Sequence, residues 1–187
     1  MGINHRIVNV VATCDLGVQI NLIEYASANS DVVKYDPNVF RAAITRLTTP
    51  NSTVLVFHTG RLVVAGAKSI EMARTQAERI KGLLKICKPP LSFRIQNIVT
   101  SASLDKKLDL VSLYAQIMIH AQEKIRSVTY EVEIFSGLQI KLDHGCIIIF
   151  STGKIIVTGF TSQTLINQCY DEIGIFLDQQ GHSFVRA

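Results

Sequence analysis

Residues 150–154 of this 187-residue chain read Phe-Ser-Thr-Gly-Lys, a Gly-Lys ending that phosphate-binding loops share. The leading glycine that such a loop requires is absent, and no helical pattern follows Lys154. No Gly-x-Ser-x-Gly nucleophile elbow occurs in the chain. The five histidines (His5, His58, His120, His144, His182) have no metal-ligand spacing. Asp143 and His144 are neighbours in sequence only, which does not make their side chains converge. These residues predict no enzyme, no metal and no cofactor. What remains at 150–154 is an aromatic, a hydroxyl and a cation around a glycine turn, which suits binding. The same arrangement stands at 57–61 as Phe-His-Thr-Gly-Arg.

That recurrence is part of a duplication. Residues 54–69, VLVFHTGRLVVAGAKS, return at 147–162 as IIIFSTGKIIVTGFTS, with six of 16 positions identical. Ile7-Val8-Asn9-Val10-Val11 is echoed by Ile95-Gln96-Asn97-Ile98-Val99, and residues 35–40 (YDPNVF) by 130–135 (YEVEIF). A period near 90 residues is too long for a solenoid repeat and is the size of a small domain. Lys88-Pro89-Pro90 punctuates the junction, so the sequence predicts repeats over 1–90 and 91–187. Two similar halves suit a target with its own approximate twofold axis, of which duplex DNA is the commonest.

Each half reads as strand, helix, several strands, long helix. Strands are predicted over 6–13 and 94–102, from their β-branched runs, and over 40–47 and 135–142, from alternation. Helices are predicted over 22–27 and 110–122. Hairpins are predicted at 54–57 with 61–65 and at 147–150 with 154–158, turning at Gly60 and Gly153. Gly66 and Gly159 read as strand ends, and Ser69 and Ser162 as N-caps of helices over 70–86 and 163–177. At period two, Phe57, Thr59, Arg61, Val63 and Ala65 share one face, as do Phe150, Thr152, Lys154, Ile156 and Thr158. The pattern alone leaves two readings of that face. It is either an open surface whose apolar residues mark a binding site, or it is the core.

Composition bounds the rest. The chain is 48% hydrophobic and 18% charged, which excludes disorder. No apolar run is long enough to cross a bilayer, no signal core opens the chain, and no membrane partner is expected. The four cysteines (Cys14, Cys87, Cys146, Cys169) lack paired spacing and read as reduced thiols. Net charge is +4. Residues 1–93 hold 11 Lys/Arg and 6 Asp/Glu, a charge of +5, and residues 94–187 hold 8 and 9, a charge of −1. A basic first half fits a polyanion.

In their order, spacing and duplication, these motifs resemble the conserved core of the TATA-box-binding protein family over nearly the whole chain. The resemblance implies an α+β fold: a two-repeat, pseudo-twofold saddle, with a curved antiparallel sheet and helices on its convex face. It implies a general transcription initiation factor that acts in the nucleus. Such a factor binds and kinks A·T-rich, TATA-like promoter DNA through the minor groove and nucleates preinitiation complex assembly. Phe40, Phe57, Phe135 and Phe150 match intercalating wedges. Asn9 and Asn97 match residues whose amides donate to the acceptors of A·T pairs. Val11, Val99, Val63, Ile156 and Thr158 would pack on sugars and base edges. Arg46, Thr59, Arg61, Lys68, Lys141, Thr152 and Lys154 match phosphate contacts, which give affinity and register.

Partners follow from the same resemblance. Tyr130, Glu131, Glu133 and Leu138 match the surface that meets general transcription factor IIB. Arg74, Arg79 and Lys81 match a basic helix that meets other regulators. A factor IIA-like protein, the RNA polymerase machinery and a DNA-free homodimer complete the expected partners. The chain departs from the family at Ala65, where threonine is usual, and at Asn38 and Val39, which replace a basic pair. It departs again between Phe135 and Phe150, which are 15 residues apart against 17 between Phe40 and Phe57. These departures leave room for an alternative, a related paralogue or interaction module with relaxed or lost TATA specificity.

Overall fold

A computed structural model describes residues 3–120 and 124–179. Contacts divide the chain into two compact units, Val8–Asn97 and Met1–Ile7 with Ile98–Ala187. The unit boundary at 97/98 thus differs from the repeat boundary read at 90/91, and each unit takes in a short end of the other repeat.

In the unit Val8–Asn97 the strands β1 (His5–Asp15), β2 (Val33–Lys34), β3 (Ala42–Thr48), β4 (Asn51–Phe57) and β5 (Arg61–Ala67) run in the order β2-β3-β4-β5-β1, with antiparallel pairing. Two helices accompany them, α1 (Leu22–Ala28) and α2 (Ile70–Leu83). Each starts at a polar cap: Asn21 Oδ1 accepts from the Glu24 amide and Ser69 Oγ from the Met72 amide. The unit Met1–Ile7 with Ile98–Ala187 repeats the plan. Its strands β6 (Ser92–Ser103), β7 (Ile125–Thr129), β8 (Leu138–Leu142), β9 (Gly145–Ile149) and β10 (Lys154–Phe160) run in the order β6-β10-β9-β8-β7, with helices α3 (Leu110–Ile119) and α4 (Gln163–Gln179).

Burial settles which sheet face is core. Val54, Val56, Leu62 and Val64 are wholly buried, as are Ile155 and Val157. Fully burying a side chain of this size is worth about 1.5–3 kcal/mol. Their alternates Leu55, Phe57, Val63, Ala65, Ile148, Ile156 and Thr158 are only half-buried. The helices pack on the first set, α2 against β4 and β5 and α4 against β10. The face carrying Phe57 and Val63 is therefore the open one.

Several sequence expectations shift. Gly66 and Gly159 do not end their strands, because β5 and β10 continue to Ala67 and Phe160. Both glycines take a left-handed φ, +87° and +88°. Next to Gly66 the pairing of β1 with β5 jumps from Val10–Ala67 to Ala12–Val64, a bulge. The strands expected from Phe40 and Phe135 start later, at Ala42 and Leu138, because turns come first. The helix expected over 70–86 stops at Leu83, and the one over 110–122 stops at Ile119, with 121–122 outside the described residues. Edge strands β2 and β7 were not anticipated. Among the described residues no helix is long and apolar enough to cross a membrane.

Candidate nucleic-acid interface

Two matching turns lift aromatic rings to the sheet edges. In the first, the Asp36 carbonyl accepts from the Val39 and Phe40 amides at 3.1 and 3.0 Å, while Asp36 Oδ1 accepts from the Asn38 amide at 2.9 Å. In the second, the Glu131 carbonyl accepts from the Ile134 and Phe135 amides at 3.0 and 2.8 Å. Each turn fixes a phenylalanine outside the strand that follows. Phe40 is 43% exposed and Phe135 37%. Phe57 ends β4 and Phe150 directly follows β9, both half-buried. Phe135 and Phe150 meet edge to face, with centroids 5.8 Å apart. Gly60 closes the first hairpin with its amide donating to the Phe57 carbonyl at 2.9 Å. A Cβ there would lie 2.1 Å from the Val18 carbonyl oxygen, so only glycine fits.

The central asparagine of the first motif is held by one defined bond. Asn9 Oδ1 accepts from the Gly66 amide at 2.8 Å. A backbone N–H can only donate, so it is the amide oxygen that faces Gly66 and the Nδ2 donors point elsewhere. The bulge at Gly66 is what frees that N–H from the strand ladder. Asn97, Val11 and Val99 lie half-buried on β6 and β1, and Val63, Ile156 and Thr158 lie likewise on β5 and β10.

The cations fall into separate groups. Arg46 and Lys68 line one open hollow with Thr53, Ala65 and Gly66. Arg61 opens β5 directly across from Asp15 and lines a second hollow with Arg94. Lys141 and Lys154 are exposed on β8 and β10, and Thr59 and Thr152 sit in exposed hairpin turns. Sequence reasoning missed Arg94. The signal was present, since Arg94 precedes Ile95-Gln96-Asn97 as Arg6 precedes Ile7-Val8-Asn9.

The expected partner surface needs correction at Leu138 and Lys81. Tyr130 is half-buried and Glu131 and Glu133 are exposed, but Leu138 is 0% exposed and belongs to the core, where no partner can touch it. On α2 the basic stripe is largely engaged. The Arg79 guanidinium donates to the Thr49 carbonyl at 2.6 Å and to Gln76 Oε1 at 3.3 Å. Lys81 is buried and paired with Glu78 at 2.7 Å. The Arg74 guanidinium lies 4.4 Å over the Phe93 ring, a cation–π contact. Lys81 is therefore withdrawn from the expected partner surface, while Arg74 and Arg79 stay exposed on α2. Among the described residues no cluster of His, Cys, Asp and Glu could hold a metal ion.

Comparison with known proteins fits this geometry. The family model "Transcription factor TFIID (or TATA-binding protein, TBP)" matches residues 4–87 and 92–179. The TATA-box-binding protein of Pyrobaculum aerophilum is 33% identical over 193 residues, covering 96% of this chain and 92% of that protein. TATA-box-binding protein 2 of Entamoeba histolytica is 32% identical over 173 residues, covering 90% and 78%. The solved structure of Methanococcus jannaschii TBP superposes with a TM-score of 0.76 at 30% identity, over 91% of this chain and 95% of that one. The chain has that α+β fold and belongs to the TATA-binding protein family, whose members are DNA-binding transcription factors, not enzymes, and work with the transcription machinery.

Proposed function

We propose that this protein binds and kinks A·T-rich, TATA-like promoter DNA through the minor groove and nucleates preinitiation complex assembly. The observation that carries this reading is the open sheet face, where Asn9 is anchored by its oxygen and so presents its donors. Adenine N3 and thymine O2 are acceptors, whereas guanine adds an amino donor. Nδ2 donors set among the apolar Val11, Val63, Val99 and Ile156 therefore favour A·T steps. The rings of Phe40, Phe57, Phe135 and Phe150 act as wedges at the sheet edges, and unstacking a base step against an aromatic ring bends the duplex. Arg46, Arg61, Lys68, Lys141 and Lys154, with Thr59 and Thr152, hold phosphates. The repeats at 1–90 and 91–187 each contribute one set.

Glu131 and Glu133, beside Tyr130, form the docking site for a factor IIB-like protein. A factor IIA-like protein and the polymerase machinery join the same complex, the DNA-free protein self-associates, and a eukaryotic bearer would hold it in the nucleus. The short β8–β9 hairpin, five residues per strand against seven in β3 and β4, favours a second reading. In it, second-half phosphate contacts are fewer and TATA preference is relaxed, as in a specialised paralogue.

Binding and bending on end-labelled A·T-rich and G·C-rich duplexes, followed by energy transfer across a salt series, test both readings. Tight, bent, A·T-selective complexes support the first. Bent complexes without selectivity support the second, and no salt-dependent binding overturns both.

A further inference from the structure

A hollow at the end of β1 has a lining unlike that of the other hollows. About 400 Å³ in volume, it is lined by Thr13, Asp15, Arg61, Ser92, Arg94 and Gln96, all within the unit Val8–Asn97. Arg61 and Arg94 are both exposed, and among the described residues neither guanidinium makes a hydrogen bond or an ion pair. Two exposed guanidiniums lining one hollow can be joined by a single anion. The carboxylate present is partly committed, since Asp15 Oδ1 accepts from the Gly17 amide at 2.9 Å, and one carboxylate leaves a net positive charge against two guanidiniums. Thr13 Oγ accepts from Gln96 Nε2 at 2.7 Å. With a lone pair so occupied, the Thr13 hydroxyl proton is directed to a different acceptor. The hollow thus offers planar forked donors and an oriented hydroxyl, the chemistry that recognises a tetrahedral oxyanion.

We propose that Arg61 and Arg94 jointly clamp one phosphate of the DNA backbone, with the Thr13 hydroxyl as a third donor and Gln96 as the residue that positions it. The proposal rests on the DNA-binding reading above and adds Arg94, Thr13 and Gln96 to it. A shared phosphate makes the two arginines interdependent, because once one is lost the other holds the group less firmly. Backbone recognition carries no sequence information, so the effect falls equally on every duplex.

The test measures duplex affinity across a salt series for the full chain and its R61A, R94A, R61A/R94A and K34A variants. Lys34 is an exposed lysine on β2, outside the hollow, and controls for bulk charge. R94A is expected to weaken binding about tenfold at 0.1 M salt, equally on A·T-rich and G·C-rich duplexes, and to lower the slope of log affinity against log salt by up to about one unit. The double variant is expected to lose less than the product of the two single losses. The proposal is overturned if R94A behaves as K34A does, or if the single losses multiply fully, which would place the arginines on separate groups. Wild-type protein that binds without A·T preference would sink the promoter reading while leaving the salt slope, and so the clamp, still measurable.

Discussion

Replacing Asn9 by Asp separates the fold from readout with a single atom. The Gly66 amide donates to Asn9 Oδ1 at 2.8 Å, and an aspartate keeps that oxygen. A hydrogen bond to a charged acceptor contributes about 1.5–3 kcal/mol against about 0.5–1.5 for a neutral one, so the variant folds at least as stably as the wild type. What changes is Nδ2, which becomes an oxygen that cannot donate. Losing the donor costs about 1–3 kcal/mol on A·T pairs, the scale of one good base contact. A carboxylate brought within a few ångströms of the polyanionic backbone adds about 3 kcal/mol of repulsion at an effective dielectric near 20. The sum, about 4–6 kcal/mol, weakens A·T-rich duplex binding about 10³–10⁴-fold. The G·C-rich duplex suffers less, because guanine offers its amino donor to the new carboxylate. Fluorescence anisotropy on both duplexes at fixed salt, beside thermal melting, reads the two effects apart. A clear fall in Tm would show that the Gly66 bond is not made as described, and an unchanged A·T preference at normal Tm would refute the donor argument.

The other expectations are as direct. Tyr25→Phe removes the hydroxyl bonded to Thr45 Oγ at 2.8 Å and strands a wholly buried threonine. Stability should fall about 1–3 kcal/mol, visible as a drop of several degrees in Tm, and an unchanged Tm would show that the bond does no work. Phe40→Ala and Phe135→Ala should cut DNA bending, with a small fall in Tm for Phe40→Ala and a larger one, of a few degrees, for Phe135→Ala, which also loses the edge-to-face contact with Phe150; unchanged bending in both variants would remove the rings from the wedge role. Reversing Glu131 and Glu133 to Arg should leave DNA binding equal or better and block a purified factor IIB in gel shifts, and a normal ternary complex would make these acids mere surface. Burial pushes the Cys169 thiol from 9.0 to about 12 and the Tyr170 phenol from 10.0 to about 12. Both folded pKa values are raised, so their contribution is intact below pH 9 and is lost as pH rises from 9 towards 12. Denaturant titrations should show stability falling through that window, and a flat profile to pH 11 would contradict it.

The sequence made the repeats and the hairpins around Gly60 and Gly153 legible because they depend on local alternation and turn chemistry. It left the open face ambiguous, because period two assigns residues to a face without saying which face a helix covers; Val54 and Leu62 had to be seen buried. Gly66 was misread as punctuation, since a glycine that bulges a strand and one that ends it look alike until pairing is known. Leu138 and Lys81 were misassigned for a related reason, since the sequence does not show that the fold buries both side chains. Arg94 went unnoticed because its significance comes from Arg61, 33 positions earlier, and not from its own surroundings.

The exchange of chain ends between the two units bears on ancestry. His5 stacks on Tyr170 with centroids 4.1 Å apart and meets Asn167 at 3.1 Å, while the Leu91 amide donates to the Asp15 carbonyl at 2.8 Å and Gln96 to Thr13. A chain cut at Lys88-Pro89 leaves each fragment without the strand end that completes it. A single-repeat forerunner would have met the same shortage and could have relieved it only by trading ends with a second copy of itself. Gene duplication would then have joined two chains that already depended on each other, and fusion would have freed the halves to drift to the +5 and −1 they carry now.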